Sequence, residues 1–226
     1  AAIEPGHSDK GWHPTATVNA LRATAAGAKL LRLSTEQTEI AFGLAASMSG
    51  GLRLNIGTMT KPFHAGNAAR NGIIACMLAG KGFTAERGVL EHTPYGFCEM
   101  FSGGEKPDLE KLTDGLGTQF QIVSPGIGIK KFPCVAGIHS AIDAVLYLVD
   151  RYAVVPEMVA AIECGVSKLR PQTLRASDPK TPLEGKFHLA YGLSRAIIDH
   201  ELGLGQFTQE KIDDPKVIEL MKKTKI

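Results

Sequence analysis

The chain of 226 residues carries 25 Lys and Arg against 23 Asp and Glu, which gives a formal charge of +2. Apolar residues make up 44% and charged residues 21%, a balance that excludes a disordered chain and predicts one large or two small domains with a real core. This even charge also argues against a nucleic acid or an anionic membrane as partner, because both attract a concentrated basic excess.

The four cysteines, Cys76, Cys98, Cys134 and Cys164, lie far apart, and no pair has the spacing of a C-x-x-C motif or of metal ligands. A chain of this length needs no disulfide, so we expect reduced thiols, no metal and a cytoplasmic location. No apolar stretch reaches the roughly 18 residues of a membrane-spanning helix, and we expect no signal peptide.

The first half of the chain is predicted to be helical. Apolar residues recur every three or four positions after Pro14, and Ser34 and Gln37 have the pattern of a capping box. Gly66 and Gly72 each cost helix stability, so we expect them to allow the close approach of a neighbouring backbone. The predicted helices span 14–32, 35–48 and 62–79, with shorter pieces over 85–91, 95–101 and 108–114.

The second half mixes strands with helices. Two short strands are predicted over 120–123 and 127–130, and alternating apolar residues predict another over 158–166. The last residues, from Lys223, have the pattern of a strand as well. Helices are predicted over 137–151, 184–200 and 215–223. This change of character predicts an α+β fold, with a helical domain over 1–117 and a mixed domain over 118–226.

The segment from Gly57 to Gly66 is the most informative candidate site. Pro62 marks a helix start, so Lys61 lies at the helix N-terminus and His64 lies three residues on, on the same face. Unpaired backbone N–H groups and a partial positive charge, together with Lys61, predict a site for a carboxylate or phosphate. The alternative is a solvated Lys61 and a packed His64.

His13 also precedes a helix that begins with a proline. A helix N-terminus disfavours imidazolium, so His13 is predicted to stay neutral near pH 7 and to accept a proton. The alternative is a loop histidine that is capped by its neighbours.

Two further groups of residues lie in the second half. Lys130 and Lys131 precede His139 and Asp143, which are four residues apart on a predicted helix and are expected to share a structural hydrogen bond. Tyr191 follows the segment Glu184 to Leu189 and is a further candidate functional residue. The alternative to a functional role is core packing with a satisfied hydroxyl group. The motifs of nucleotide-binding loops, zinc proteases, α/β-hydrolases and dithiol oxidoreductases are absent, so these classes lose support.

Four ordered segments together resemble the MmgE/PrpD family: GWHPTATVNALRATAAGAKLLRL, LNIGTMTKPFHAGNAARNGI, KKFPCVAGIHSAIDA and PLEGKFHLAYGLSRAI. The family includes 2-methylcitrate dehydratase, cis-aconitate decarboxylase and iminodisuccinate epimerase. The resemblance implies an all-helical domain, a smaller α/β lid domain and an active site between them. It also implies a homodimer formed through the helical domain, a small polycarboxylate substrate and chemistry without a metal or organic cofactor.

The resemblance assigns roles to individual residues by their place in the motifs. Lys61 and Lys130 match lysines that bind substrate carboxylates, His13 matches an acid or base, and Tyr191 matches a hydroxyl acid or orienting group. His64 and His139 also match motif positions, and His64 is expected to contact substrate. The family is longer at both ends, so we expect the chain to be a piece of a longer enzyme.

The resemblance leaves the reaction open. A 2-methylcitrate dehydratase-like lyase is favoured, with an iminodisuccinate epimerase-like isomerase as the alternative within the family. Decarboxylase-like relatives can carry a histidine at the position of Val135, and its absence weakens a decarboxylase assignment. A non-catalytic homologue or fragment that packs and dimerises is the alternative from a different class.

Overall fold

The chain divides into two units, Ala1–Gly126 and Ile127–Ile226, in a computed structural model that describes residues 2–166 and 177–226. Helices form the first unit, and the second combines helices with a two-stranded parallel sheet, so the predicted α+β class is confirmed. The domain ranges 1–117 and 118–226 stay predictions. Both residue 117 and the division after Gly126 fall within residues 113–131, which form neither helix nor strand.

The helices of the first unit follow the predicted pattern with shifted ends. The capping box is confirmed, because Ser34 Oγ accepts from the amide of Gln37 and Gln37 Oε1 accepts from the amide of Ser34. The helix predicted from residue 14 begins only at Val18, after a series of turns, and the piece predicted over 85–91 is not helical. The helices are α1 (Gly6–Asp9), α2 (Val18–Leu30), α3 (Thr35–Ser47), α4 (Thr60–Gly80) and α5 (Phe97–Phe101).

Helices α2, α3 and α4 pack through small side chains, and the buried cluster between them consists of Ala28, Ala41, Cys76 and Ala79. Gly72 is the point of closest approach, because a Cβ there would lie 2.5 Å from the Cβ of Ala23 and 2.7 Å from the amide nitrogen of Thr24. The expected role of Gly72 is therefore confirmed. The same expectation is wrong for Gly66, where a Cβ would meet nothing within 4 Å.

The strands predicted over 120–123 and 127–130 are wrong. Residues 121–125 form turns, and 127–130 have no regular structure. Their apolar side chains are exposed, and Ile129 is 94% exposed. Two short strands alone are marginally stable in water, and no sheet or helix covers an apolar face here within the described residues.

The second unit has five α-helices in its described part. The prediction over 184–200 missed a break at His188, whose Nδ1 accepts from the amide of Tyr191 and so starts a new helix. Asp214 caps the last helix by accepting from the amide of Lys216. The helices are α6 (His139–Tyr152), α7 (Pro182–Gly185), α8 (Leu189–Asp199), α9 (Gln209–Ile212) and α10 (Pro215–Lys222).

The parallel sheet joins β1 (Ile162–Glu163) and β2 (Thr224–Lys225), with Ile162 opposite Thr224. The amide of Ile162 donates to the carbonyl of Lys223 at 3.0 Å, and the amide of Cys164 donates to that of Lys225 at 2.9 Å. The strand predicted at the last residues is thus confirmed, whereas the one over 158–166 shrinks to two residues.

Helix α8 lies in the core of the second unit, and its residues from Leu189 to Ile197 are all buried. It packs against α6 and α10. The guanidinium of Arg195 is fully buried there and pairs with Asp199 at 3.3 Å and Asp214 at 3.0 Å. Among the helices described, including α4 with its 21 residues, none has the length and apolar character needed to cross a membrane.

Candidate active site

His13 is held in an extended segment that runs antiparallel to residues 51–53. Its amide donates to the carbonyl of Gly51 at 3.0 Å, and the amide of Arg53 donates to the carbonyl of Gly11 at 2.8 Å. Trp12 and Leu52 form the bridge between these hydrogen bonds. Main-chain pairing therefore fixes the backbone of His13 just before the chain turns into α2.

The side chain of His13 meets that of His64, near the start of α4. Their Nδ1 atoms lie 2.9 Å apart, within hydrogen-bonding distance, and both rings are buried. A Cβ on Gly51 would lie 3.0 Å from His64 Nε2 and 3.1 Å from its Cδ2. Gly51 therefore covers one edge of the His64 ring, while His13 contacts another.

Burial and neighbouring positive charge keep both imidazoles neutral. The pKa of His13 is lowered to about 4, first by burial and then by the charges of His64, Lys61 and Arg53. Burial, followed by the charge of Lys61, also lowers the pKa of His64. The predicted neutrality of His13 thus has burial as its main cause. The helix N-terminus expected next to His13 is not there, because α2 begins only at Val18.

Lys61 lies in the first turn of α4 and is half-buried. Its positive charge lowers the pKa of both His13 and His64, so the ammonium group acts electrostatically on the two rings. The N-terminus of a helix of 21 residues adds a partial positive charge on the same side. This arrangement can attract a carboxylate and offers a neutral imidazole beside it.

His7 is a buried residue of this unit that the sequence analysis did not single out. Its Nδ1 donates to the carbonyl of Phe101 at 2.9 Å, so its Nε2 accepts from the hydroxyl of Thr17 at 2.7 Å. Burial lowers the pKa of His7. His7 thereby anchors the segment before His13 to α5 and to the start of α2. A single histidine within a four-residue helix gives little signal in a sequence.

Lys130 belongs to the second unit and its side chain is exposed. Its ammonium group donates to the carbonyl of Cys134 at 2.8 Å. The neighbouring Lys131 pairs with Asp143. The hydrogen bond predicted between His139 and Asp143 is therefore wrong, because Asp143 binds a lysine and the ring of His139 packs edge-on against Phe132.

Tyr191 is fully buried in the second unit. Its hydroxyl donates to the carbonyl of Gln206, its ring packs near Phe207, and burial raises its pKa to about 12. This placement agrees with the core-packing alternative.

The first unit thus brings His13 and His64 together under the charge of Lys61, whereas Lys130 and Tyr191 each bind a main-chain carbonyl within the second unit. In residues 2–166 and 177–226, no group of three or more His, Cys, Asp or Glu side chains is arranged to hold a metal ion. A neutral His13 under the positive charge of Lys61 and Arg53 has the chemistry of a proton acceptor beside an anion.

Models of two protein domains match the chain, one in each unit. The model of the MmgE/PrpD N-terminal domain matches residues 1–110, and that of the MmgE/PrpD C-terminal domain matches residues 132–226. A cis-aconitate decarboxylase from Aspergillus terreus is 30% identical over 95% of the chain and 46% of its own length. A cis-aconitate decarboxylase-like protein, oryM, from Aspergillus oryzae is 31% identical over 95% of the chain and 47% of its own length. The cis-aconitate decarboxylase of Mus musculus is 27% identical over 96% of the chain and 44% of its own length. The chain thus spans about half the length of the curated relatives it matches.

Proposed function

The chain belongs to the MmgE/PrpD family, and on that basis we propose that it acts as a lyase that transfers a proton at a carbon next to a carboxylate of a small di- or tricarboxylate. The observation that carries this proposal is the neutral His13, buried against His64 within the influence of Lys61. A neutral imidazole is the form that accepts a proton, and a nearby cation favours an anionic substrate.

Removal of a proton or of CO₂ next to a carboxylate builds negative charge on the carbon and on the carboxylate oxygens. Lys61 and the N-terminus of α4 supply positive charge that is already in place for this anion. His13 Nδ1 faces His64, so Nε2 is the nitrogen that takes the proton from substrate. Lys61 therefore binds a substrate carboxylate and stabilises the negative charge that develops on it, and His13 transfers the proton.

Two residues of the second unit enter the proposal through the family resemblance. Lys130 is proposed to bind a second substrate carboxylate, and Tyr191 to act as a hydroxyl acid or orienting group. Lys130 would exchange its hydrogen bond to Cys134 for the substrate, which an exposed ammonium group can do at small cost. The hydroxyl of Tyr191 would have to leave a buried hydrogen bond to Gln206, so its role is the more demanding of the two.

Dehydration of 2-methylcitrate is the reaction that the sequence favours, with epimerisation of iminodisuccinate as its alternative. Decarboxylation of cis-aconitate is a second candidate, because relatives of that name match 95% of the chain. Val135, where a decarboxylase-like relative can carry histidine, weighs against it. All three reactions pass through negative charge beside a carboxylate, so the same groups of the first unit serve each of them.

Proton NMR in D₂O separates these reactions. The purified protein is incubated with 2-methylcitrate, cis-aconitate or iminodisuccinate. Loss of water indicates dehydration and loss of CO₂ indicates decarboxylation. Deuterium incorporation without loss of either group indicates epimerisation. We expect turnover of one of them, with kcat lowered about 10²–10⁴-fold in H13Q. K61M should raise KM and lower kcat, whereas K81M, at the other end of α4, should change neither. Failure of the protein to convert any of the three would contradict the proposal.

We also propose that the protein forms a homodimer through the helical unit. Phe63, Ile73 and Met77 expose 59%, 46% and 53% of their surface along α4, an unusual apolar face for a helix in water. Light scattering after size-exclusion chromatography should give twice the monomer mass, and F63S with M77S should reduce it. The control is M100S, which alters an exposed methionine on α5. A catalytically silent dimer would support the non-catalytic alternative.

A further inference from the structure

The contact between His13 and His64 restricts where the two rings carry their protons. Two Nδ1 lone pairs cannot face each other at 2.9 Å without repulsion, so one Nδ1 must carry a hydrogen and the other must accept it. A neutral imidazole has a single N–H. The ring that donates through Nδ1 therefore has an unprotonated Nε2, and the ring that accepts through Nδ1 has its hydrogen on Nε2.

The surroundings distinguish the two rings. The Nε2 and Cδ2 edge of His64 faces Gly51, where a Cβ would lie only 3.0 and 3.1 Å away. A substrate carbon cannot approach His64 Nε2 through the main chain of Gly51. Both residues are buried, with 5% of the surface of His64 and 9% of that of His13 exposed, so it is Gly51 that distinguishes them. His13 is thus the ring that can react, and His64 is the ring behind it.

We propose that His64 is a positioning residue for His13: it accepts a hydrogen bond from His13 Nδ1–H and thereby leaves His13 Nε2 unprotonated and ready to take the substrate proton. The assignment of a reaction to Nε2 rests on the proposed function. The pairing of two complementary tautomers does not, because it follows from the contact alone, and His64 is assigned as the acceptor from its position behind Gly51.

The same hydrogen bond strengthens during the reaction. When His13 Nε2 takes a proton from the substrate carbon, the electron pair of the C–H bond stays on the substrate and His13 becomes an imidazolium. Its Nδ1–H then makes a charge-assisted hydrogen bond to the neutral His64, which is about twice as strong as the neutral one. Lys61 and Arg53, the cations whose charges act on His13, oppose this imidazolium, so acceptance by His64 offsets part of their effect.

Two substitutions of His64 separate positioning from packing. In H64N the side-chain amide lies close to the place of Nδ1 and its oxygen can accept from His13. In H64Q the amide reaches toward the place of Nε2, beside Gly51, and leaves His13 Nδ1 without its acceptor. We expect kcat to fall roughly 10–100-fold in H64Q, the effect of a lost hydrogen bond to a charged group, with KM within about twofold. H64N should recover most of kcat. The control is H92Q, the same change at an exposed histidine of this unit.

The tautomers are measured directly on the wild-type protein with ¹⁵N-labelled histidine. At pH 7 we expect His13 to carry its hydrogen on Nδ1 and His64 on Nε2, with a scalar coupling across the Nδ1–H···Nδ1 hydrogen bond. This measurement requires neither turnover nor a folded variant. Its failure is therefore distinct from failure of the proposed function, which a lack of turnover would show.

Each result decides the proposal. A His13 with its hydrogen on Nε2 overturns it, as does an H64Q protein with wild-type kcat. Equal losses in H64N and H64Q would show that the ring shape of His64 matters and its hydrogen bond does not, which also overturns it. Complementary tautomers together with recovery in H64N support it.

Discussion

Gly51 lies so close to His64 that a methyl group on its Cα would stand 3.0 Å from Nε2, and 2.3 Å from the Cβ of Ala16. Neither the imidazole nor the backbone that carries Ala16 can move far, because both are buried. We expect G51A to lower the free energy of unfolding by about 1–3 kcal/mol. It should also lower kcat by displacing His64 from His13.

The matched control is G66A, the same substitution on α4 where a Cβ would meet open space. Alanine favours a helix interior over glycine by about 0.5–1 kcal/mol, so G66A should stabilise the protein. Urea unfolding of both variants measures the difference. A G51A protein as stable as G66A would show that Gly51 is not a point of close packing.

Lys61 should set the proton affinity of His13. The pKa of His13 is lowered to about 4 by burial, His64, Lys61 and Arg53, in that order. K61M removes one positive charge, so the pKa of His13 should rise toward its usual value while staying below it, because burial remains. An NMR titration of the His13 ring measures the midpoint. K81M serves as the control, and an equal midpoint in K61M and wild type would place the charge of Lys61 too far away to act.

The protein should lose stability as the pH falls below about 6.5. His7, His13, His64 and His188 all have a pKa lowered mainly by burial, so the unfolded chain binds protons that the folded one does not. Stability is complete above the unfolded pKa and decreases down to the folded one. For His13 the window runs from 6.5 to about 4 and is worth up to about 3 kcal/mol.

Urea unfolding at a series of pH values tests this dependence. We expect a constant free energy of unfolding between pH 7 and 8 and a decline between pH 6.5 and 4. H13Q should have a shallower decline, because it removes one of the four groups. A free energy that rises as the pH falls through this window would contradict the burial of neutral histidines.

Substitution of Tyr191 separates its contribution to stability from its proposed role in catalysis. Y191F leaves the carbonyl of Gln206 without its buried donor, so we expect the free energy of unfolding to fall by about 1–2 kcal/mol. Y147F, which removes the hydroxyl of an exposed tyrosine, should cost less. Assay of the same variant examines the acid role proposed for Tyr191, which requires kcat to fall about 10²-fold or more. Stability lost with kcat intact would restrict Tyr191 to the core.

The ion pair of the buried Arg195 with Asp214 should contribute more to stability than an exposed ion pair does. D214N keeps a side chain that can cap α10, but it removes the negative charge that pairs with the buried guanidinium of Arg195. We expect the free energy of unfolding to fall by about 1.5–3 kcal/mol. D143N breaks the exposed pair with Lys131 and should cost less than about 1 kcal/mol. Comparison of the two in urea measures the effect of burial, and equal costs would contradict it.

Local signals predicted much of the fold. The capping box of Ser34 and Gln37 and the cap at Asp214 depend on residues within one turn, and both helices form where expected. The strand predictions within 120–130 were wrong, because a strand depends on a pairing partner that a local pattern does not reveal. The break at His188 was missed although its cause is local, because a histidine that caps a helix through Nδ1 resembles any other polar residue in a helical pattern.

Of the residues predicted for the site, the structure shows a direct contact between His13 and His64. His13 and Lys61 stood out because each lies beside a proline at a helix start. The effect of the Lys61 charge on His13, and the contact of His13 with His64, are tertiary features that join residues of different segments. His64 was expected to contact substrate, and that role stays a prediction. Its observed partner is another histidine, which no spacing within the α4 segment could indicate.

We expect the pairing of β1 with β2 to make the second unit unfold as one body. Its strands lie far apart in the sequence, and α8 and α10 lie between them, so forming the pair closes a long loop at an entropic cost. That cost is recovered once the helices have packed, so we expect the strands to pair late in folding. The amide hydrogens of Ile162 and Cys164, which donate across the pair, should therefore exchange with deuterium only through global opening of the unit.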